Sequence, residues 1–120
     1  FIAKFPKPIT PKALAARIEK CVGPVMCHLS FGPERISRIG IISGGGWSGV
    51  TDPAVEAGHV DALLTGEVIH KAHALARDRN IHVFGAGHYA TETFGVQAIG
   101  DLLEKKFGVN HTFIDLPTGL

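Results

Sequence analysis

The sequence ISRIGIISGGG, residues 36–46, decides the fold. Its first seven residues include four isoleucines, and β-branched side chains of this kind pack well on the pleated surface of a strand. The glycines that follow permit a sharp turn at the point where the chain leaves the sheet. We therefore predict a buried strand from Ile36 to Ser43 that ends in a glycine loop.

The same pattern, a short apolar run followed by glycine, occurs again further along the chain. Asp61 to Leu64 precedes Thr65-Gly66, and Ile81 to Phe84 precedes Gly85-Ala86-Gly87. Open α/β sheets bind their ligands beyond the carboxyl ends of such strands. These glycine turns are therefore where we expect the functional site.

Segments with helical patterning alternate with these strands. We predict helices over Pro53 to Gly58, over Glu67 to Arg77, and through Ala98, Leu102, Leu103 and Phe107 to Gly108, and then a last strand over Val109 to Leu116. Alternation of this kind from residue 36 onward is typical of a layered α/β domain with a mixed, mostly parallel sheet. A chain of 120 residues is the size of one domain, so residues 1–120 are predicted to form a single α/β domain.

The first third of the chain follows a different pattern. Phe1 to Pro8 contains two prolines and predicts an extended lead-in, whose apolar side chains we expect at an interface. Thr10 caps a helix that ends before Gly23-Pro24. The strand predicted over Val25 to Phe31 is joined to the strand at Ile36 by too few residues for a crossover helix, so we expect these two strands to pair antiparallel.

Composition narrows the possible functions. The formal net charge of +1 provides no field that would attract nucleic acid, and no apolar run is long enough to cross a membrane. Cys21 and Cys27 can form at most one disulfide. A single disulfide would be an unusual framework for a domain with this much apolar core, since the chain is 45% hydrophobic. Without a recognisable leader sequence, a cytoplasmic protein is predicted.

His88 and Glu92 form the sharpest candidate site. They belong to the string Ala86-Gly87-His88-Tyr89-Ala90-Thr91-Glu92, at the junction of a strand and a helix. Residues four apart on a helix project from one face and can reach the same ion. An imidazole nitrogen and a carboxylate oxygen suit Zn, Mn, Fe or Ni.

Four other histidines lack the spacing of metal ligands. They are predicted to be surface or hydrogen-bonded structural residues: His28, His59, His82 and His111.

The chain resembles the NIF-three-like dinuclear metal-binding family, also described as GTP cyclohydrolase type 2-like. The resemblance is carried by the string from Ala86 to Glu92, by Leu64-Thr65-Gly66-Glu67 before it and by Phe113-Ile114-Asp115-Leu116-Pro117 after it. The resemblance implies a metal-dependent hydrolase in which His88 and Glu92 are metal ligands. It also implies that Glu67 and His70 are pocket or substrate-binding residues. No residue is assigned a catalytic role.

The resemblance covers only the family's C-terminal half, because the His-His pair of its N-terminal half does not occur in this sequence. His88 and Glu92 are then half of a dinuclear centre, completed by a missing N-terminal half or by another subunit of a homo-oligomer. The expected substrate is a small phosphorylated or nucleotide-like molecule.

Two other functions fit the same sequence. One is a regulatory or protein-interaction module that keeps its metal for structure. The other is a nucleotide-binding domain that uses Gly44 to Gly49, which formally matches a glycine-rich dinucleotide loop. Pro53 weakens the second interpretation, because it interrupts the helix that should continue from such a loop.

Overall fold

The computed structural model describes residues 1–118, apart from the side chains of residues 54 and 56. In chain order the elements are β1 (Ile2–Ile9), α1 (Pro11–Cys21), β2 (Cys27–Ser30), β3 (Ile36–Ile42), a 3₁₀ helix (Gly46–Thr51), α2 (Pro53–Glu56), β4 (Ala62–Thr65), α3 (His70–Asp78), β5 (His82–Gly85) and α4 (His88–Phe107). This is the mixed α/β architecture that the sequence predicts.

The strands form one sheet in the order β1-β3-β4-β5-β2. Strands β3, β4 and β5 are parallel neighbours, so their carboxyl ends lie side by side. The flanking strands are both antiparallel, β1 to β3 and β2 to β5. The predicted extended lead-in is therefore an edge strand of the sheet, and its Phe5 and Ile9 pack against the core.

The predicted antiparallel pairing of β2 with β3 is wrong, because β2 lies at the opposite edge of the sheet. Three strand spacings separate β2 from β3, about 14 Å, and the short link between them is long enough to cross that distance when extended. Gly32 lets the link pass close beneath the sheet, since a Cβ there would come within 2.7 Å of the His82 backbone nitrogen and 2.8 Å of the Asp61 carbonyl oxygen. A short connection sets an upper limit on the distance between two strands, but it does not require them to be neighbours in the sheet.

The sheet is covered on both faces. Leu14 and Ile18 of α1 are buried against one face, as the sequence predicts, and Thr10 Oγ1 accepts a hydrogen bond from the Ala13 backbone nitrogen at 3.2 Å. The other face is covered by residues of α2, α3 and the 3₁₀ helix, including Val50 and Ala76. Cys21 and Cys27 are free thiols.

The predicted last strand over Val109 to Leu116 is also wrong, since the described residues after α4 form no strand. This tail is instead attached to α4 by side-chain hydrogen bonds. The Tyr89 hydroxyl donates to Asp115 Oδ1 at 2.7 Å and accepts from the Leu116 backbone nitrogen at 2.8 Å, and a ring nitrogen of His111 lies 3.1 Å from Glu104 Oε2. These contacts hold the tail against the helix and away from the sheet edges.

Helix α4 is 20 residues long and none of its residues is buried. It ends at Gly108, as predicted, in the left-handed conformation that favours glycine. Its large apolar side chains are 43–65% exposed: Phe94, Val96, Ile99, Leu102, Leu103 and Phe107. We call these six side chains the α4 apolar surface. Within residues 1–118, no helix is long and apolar enough to span a membrane.

We predict that the α4 apolar surface causes the chain to associate, because six large apolar side chains exposed on one helix exceed the single exposed apolar residues that are ordinary on a protein surface. Light scattering at micromolar concentration should show species larger than a monomer. Replacing Ile99 and Leu103 together with lysine should shift the chain toward the monomer and reduce binding of a hydrophobic dye, while Lys105→Ala serves as the control on the same helix. A monomeric wild-type chain without dye binding would contradict the prediction.

Candidate metal centre

Three loops meet at the carboxyl edge of the sheet. Strand β3 leads into Gly44, β4 leads into Gly66-Glu67, and β5 leads into Gly87-His88. Because the three strands are parallel neighbours, these loops are brought together although each is more than 20 residues from the next in the chain. This is the edge where the sequence predicts the site.

The backbone of Gly44 connects the three loops. Its carbonyl oxygen accepts hydrogen bonds from the backbone nitrogens of Gly66 at 2.9 Å and Glu67 at 3.0 Å, and from Thr65 Oγ1 at 3.1 Å. Its own N–H donates to Thr91 Oγ1 at 2.9 Å. One residue thus fixes the turn that carries Glu67 and the first turn of α4.

Gly44 is required here for two independent reasons. Its φ of +64° lies in the left-handed region that L side chains rarely adopt. A Cβ at this position would also collide with Glu92 Oε1 and come within 3.0 Å of His88 Nε2. The missing side chain therefore leaves open the space directly in front of the two predicted ligand atoms.

The imidazole of His88 lies between two carboxylates. Its Nδ1 is 2.6 Å from Glu67 Oε1, and its Nε2 is 3.2 Å from Glu92 Oε1. His88 is the first residue of α4 and Glu92 follows one turn later, which is the predicted arrangement. All three side chains are partly exposed, so an ion in solution can reach them.

The carboxylates affect the protonation of His88. The hydrogen bond with Glu67 raises the pKa of His88, partial desolvation opposes this effect, and the negative charge of Glu92 raises the pKa further. A metal cation at Nε2 would have to displace a proton over a wider pH range than at an ordinary histidine.

The donor atoms fit a divalent cation as a partial site. Among residues 1–118, no group of three or more His, Cys, Asp and Glu side chains is arranged to hold a metal ion. The geometry explains why: Glu67 and Glu92 face opposite nitrogens of the His88 ring, so only Nε2 and Glu92 are directed toward one point. Two donors leave the rest of a coordination shell to water or to other protein groups.

Glu67 lines a cleft of about 360 Å³. The cleft is lined by Met26, Cys27, Gly66, Glu67, Val68, Ile69, Gly85, Gly87 and His88. His70 is exposed at the first position of α3 and does not line this cleft. Helix α3 begins at His70, three residues later than predicted, because hydrogen bonds to Gly44 hold residues 66 and 67 in a turn.

The Gly44 to Gly49 stretch has a structural explanation. Gly46 and Gly49 are buried, and a Cβ at either position would collide with the side chain of Ile42. Packing of the 3₁₀ helix onto β3 thus accounts for these two glycines without a bound phosphate. The sequence reasoning missed Gly44 and Thr91 as site residues, although both lie in stretches it had singled out.

Known proteins with similar sequences and structures share this arrangement of elements. A family model described as Duf34/NIF3 (NGG1p interacting factor 3) matches residues 1–119. A GTP cyclohydrolase 1 type 2 homolog of Pyrococcus horikoshii is 41% identical over 122 residues, which cover 100% of this chain and 47% of that protein. A similarly named protein of Haemophilus influenzae is 41% identical, covering 92% of this chain and 43% of that protein.

Among solved structures, the protein ybgI, described as of unknown function, matches with a TM-score of 0.88 at 35% identity. The match covers 98% of this chain and 47% of that protein. The chain thus spans about half the length of the relatives that it matches.

We predict that Gly44→Ala destabilises the fold by about 1–2 kcal/mol, the usual cost of placing an L side chain in the left-handed region, and that the exposed end of Glu92 moves from its place beside His88 to make room for the new Cβ. The control is Gly95→Ala in α4, where a Cβ meets no atom within 4 Å. That change should leave stability unchanged or raise it by about 0.5–1 kcal/mol. Urea unfolding measures both, and equal stability of the two variants would show that Gly44 is not under this constraint.

Proposed function

The chain belongs to the DUF34/NIF3 family, and we propose that it binds a divalent metal cation through His88 Nε2 and the carboxylate of Glu92. The observation that carries this proposal is the approach of these two donor atoms to 3.2 Å beside a glycine that leaves the space in front of them open. Zn, Mn, Fe and Ni all accept imidazole and carboxylate ligands.

The proposed site is half of a dinuclear centre. His88 and Glu92 provide two donors, whereas even a four-coordinate zinc site requires more. The relatives are about twice as long as this chain, so the remaining ligands are assigned to a further segment of a longer protein or to another subunit. The α4 apolar surface supports the same proposal, because it offers such a partner a contact area on the same helix that carries both ligands.

The proposed activity is metal-dependent hydrolysis. When bound, a divalent cation supplies Lewis acidity and lowers the pKa of a coordinated water. The cleft beside Glu67 is the proposed binding place for a small phosphorylated or nucleotide-like substrate, in agreement with the cyclohydrolase names of the relatives. Glu67 lines this cleft, and His70, just outside it, is retained as a residue that could contact the part of the substrate that protrudes.

A regulatory module with a structural metal remains the second proposal. A structural site has every coordination position filled by protein, whereas a catalytic site keeps one open to water. The cytoplasmic location also stays a prediction.

We predict that His88→Ala and Glu92→Ala each abolish stoichiometric metal binding in the complete native protein. Elemental analysis after dialysis measures the bound metal, and circular dichroism verifies that the variants are folded. His59→Ala and His70→Ala are the matched controls, because both histidines are exposed and lie outside the ligand pair. Full metal occupancy in the two ligand variants would disprove the assignment.

We also predict that metal affinity falls as the pH is lowered. The pKa of His88 is raised above its usual value, so protonation of Nε2 begins to displace the metal above about pH 6.5. Below the raised pKa, affinity should fall about tenfold for each pH unit that protonates this one group. Calorimetric titration with Zn²⁺ between about pH 5 and pH 8 tests this, and a constant affinity over that range would argue against a histidine ligand.

A further inference from the structure

We propose that Glu67 is a positioning residue that holds His88 in the tautomer with its proton on Nδ1, so that Nε2 presents its lone pair beside Glu92. This inference rests on the proposed function of His88 as a metal ligand. It assigns to Glu67 a role different from the substrate contact implied by the resemblance.

The first argument is the contact itself. Glu67 Oε1 lies 2.6 Å from His88 Nδ1, a short distance that is typical of a charge-assisted hydrogen bond. Glu67 and Glu92 can both only accept a hydrogen bond as carboxylates, but the Glu67 contact with Nδ1 at 2.6 Å is much shorter than the Glu92 contact with Nε2 at 3.2 Å, so we assign the proton of the neutral ring to Nδ1. Which nitrogen of a neutral imidazole carries the proton is set by the hydrogen bond that the ring makes.

The second argument is that the backbone fixes Glu67 in place. The backbone nitrogens of Gly66 and Glu67 both donate to the carbonyl oxygen of Gly44, at 2.9 Å and 3.0 Å. The Cα of the same Gly44 borders the space in front of Nε2. The backbone from which the Glu67 carboxylate reaches the ring and the space that the ring faces are therefore both set by one residue, Gly44.

The third argument separates Glu67 from the ligands. Glu67 contacts Nδ1 and Glu92 contacts Nε2, which are on different sides of the ring. Nε2 and Glu92 would therefore hold a cation without Glu67 Oε1, which is bound to the other nitrogen of the ring. Metal-bound histidines usually donate their other N–H to such a carboxylate, which orients the ring and increases its basicity.

The tautomer can be measured without any metal. Long-range nitrogen–proton correlation spectra of the chain labelled in histidine distinguish the two neutral forms at about pH 9, where imidazoles are uncharged. The His88→Gln variant identifies the His88 signals by their loss. We expect the Nδ1–H form of His88 in the wild-type chain and a shift toward the Nε2–H form, which free histidine favours in water, in Glu67→Ala.

Two further variants separate positioning from a general structural effect. Glu67→Gln keeps an oxygen acceptor and should restore most of the Nδ1–H form. Glu104→Ala removes a carboxylate from His111, another exposed histidine with acidic partners, and should leave the His88 signals unchanged. The same tautomer of His88 in wild type and Glu67→Ala would overturn the proposal.

Zn²⁺ titration of the complete native protein provides the second readout. If Glu67 positions His88, the Glu67→Ala variant should bind Zn²⁺ about 10–100-fold more weakly, and the number of ions bound should not change. Loss of an ion, or an unchanged affinity, would overturn the proposal. A wild-type protein that binds no Zn²⁺ but keeps the tautomer difference would refute the proposed function while supporting the positioning of His88 by Glu67.

Discussion

The backbone of Gly44 is the constraint on which the functional edge of this protein depends. Its carbonyl oxygen accepts three hydrogen bonds from residues 65–67, and its N–H is bound by Thr91. Parallel strands bring their carboxyl ends near one another, but proximity alone does not set the positions of side chains in three separate loops. One glycine achieves this by using both of its backbone polar groups and by having no side chain in the space that His88 and Glu92 face.

The sequence predicts the elements and the residue pair whose formation depends on local periodicity and local side-chain chemistry. Three predicted features depend on residues close in sequence, and the structure contains all of them: the helix after Thr10, the three parallel strands before glycine turns, and the helical pair of His88 and Glu92. The remaining histidines that were predicted to be structural are exposed, like His59, or hydrogen-bonded, like buried His82. The errors concern long-range pairing, since the placement of β2 and of the tail after α4 depends on contacts that no local pattern reveals.

The edges of the sheet show how the fold limits unwanted pairing. Strand β1 contains Pro6 and Pro8, which lack a backbone donor, and Lys4 and Lys7, whose charges oppose close approach of another strand. Strand β2 at the other edge is four residues long. The protein is thus protected against edge-to-edge aggregation where its sheet is open, and the exposed apolar side chains of α4 are concentrated on a helix.

Because α4 buries none of its residues, its backbone hydrogen bonds can open without disrupting the sheet. The helix and the sheet are therefore expected to behave as separate cooperative units, with amide hydrogens of α4 exchanging faster than those of the buried strands β4 and β5. The first two turns of this helix carry His88 and Glu92. An ion that required both residues in helical geometry would stabilise this end of α4 and slow its amide exchange, so that occupancy of the proposed site would be coupled to the helix that bears the apolar surface.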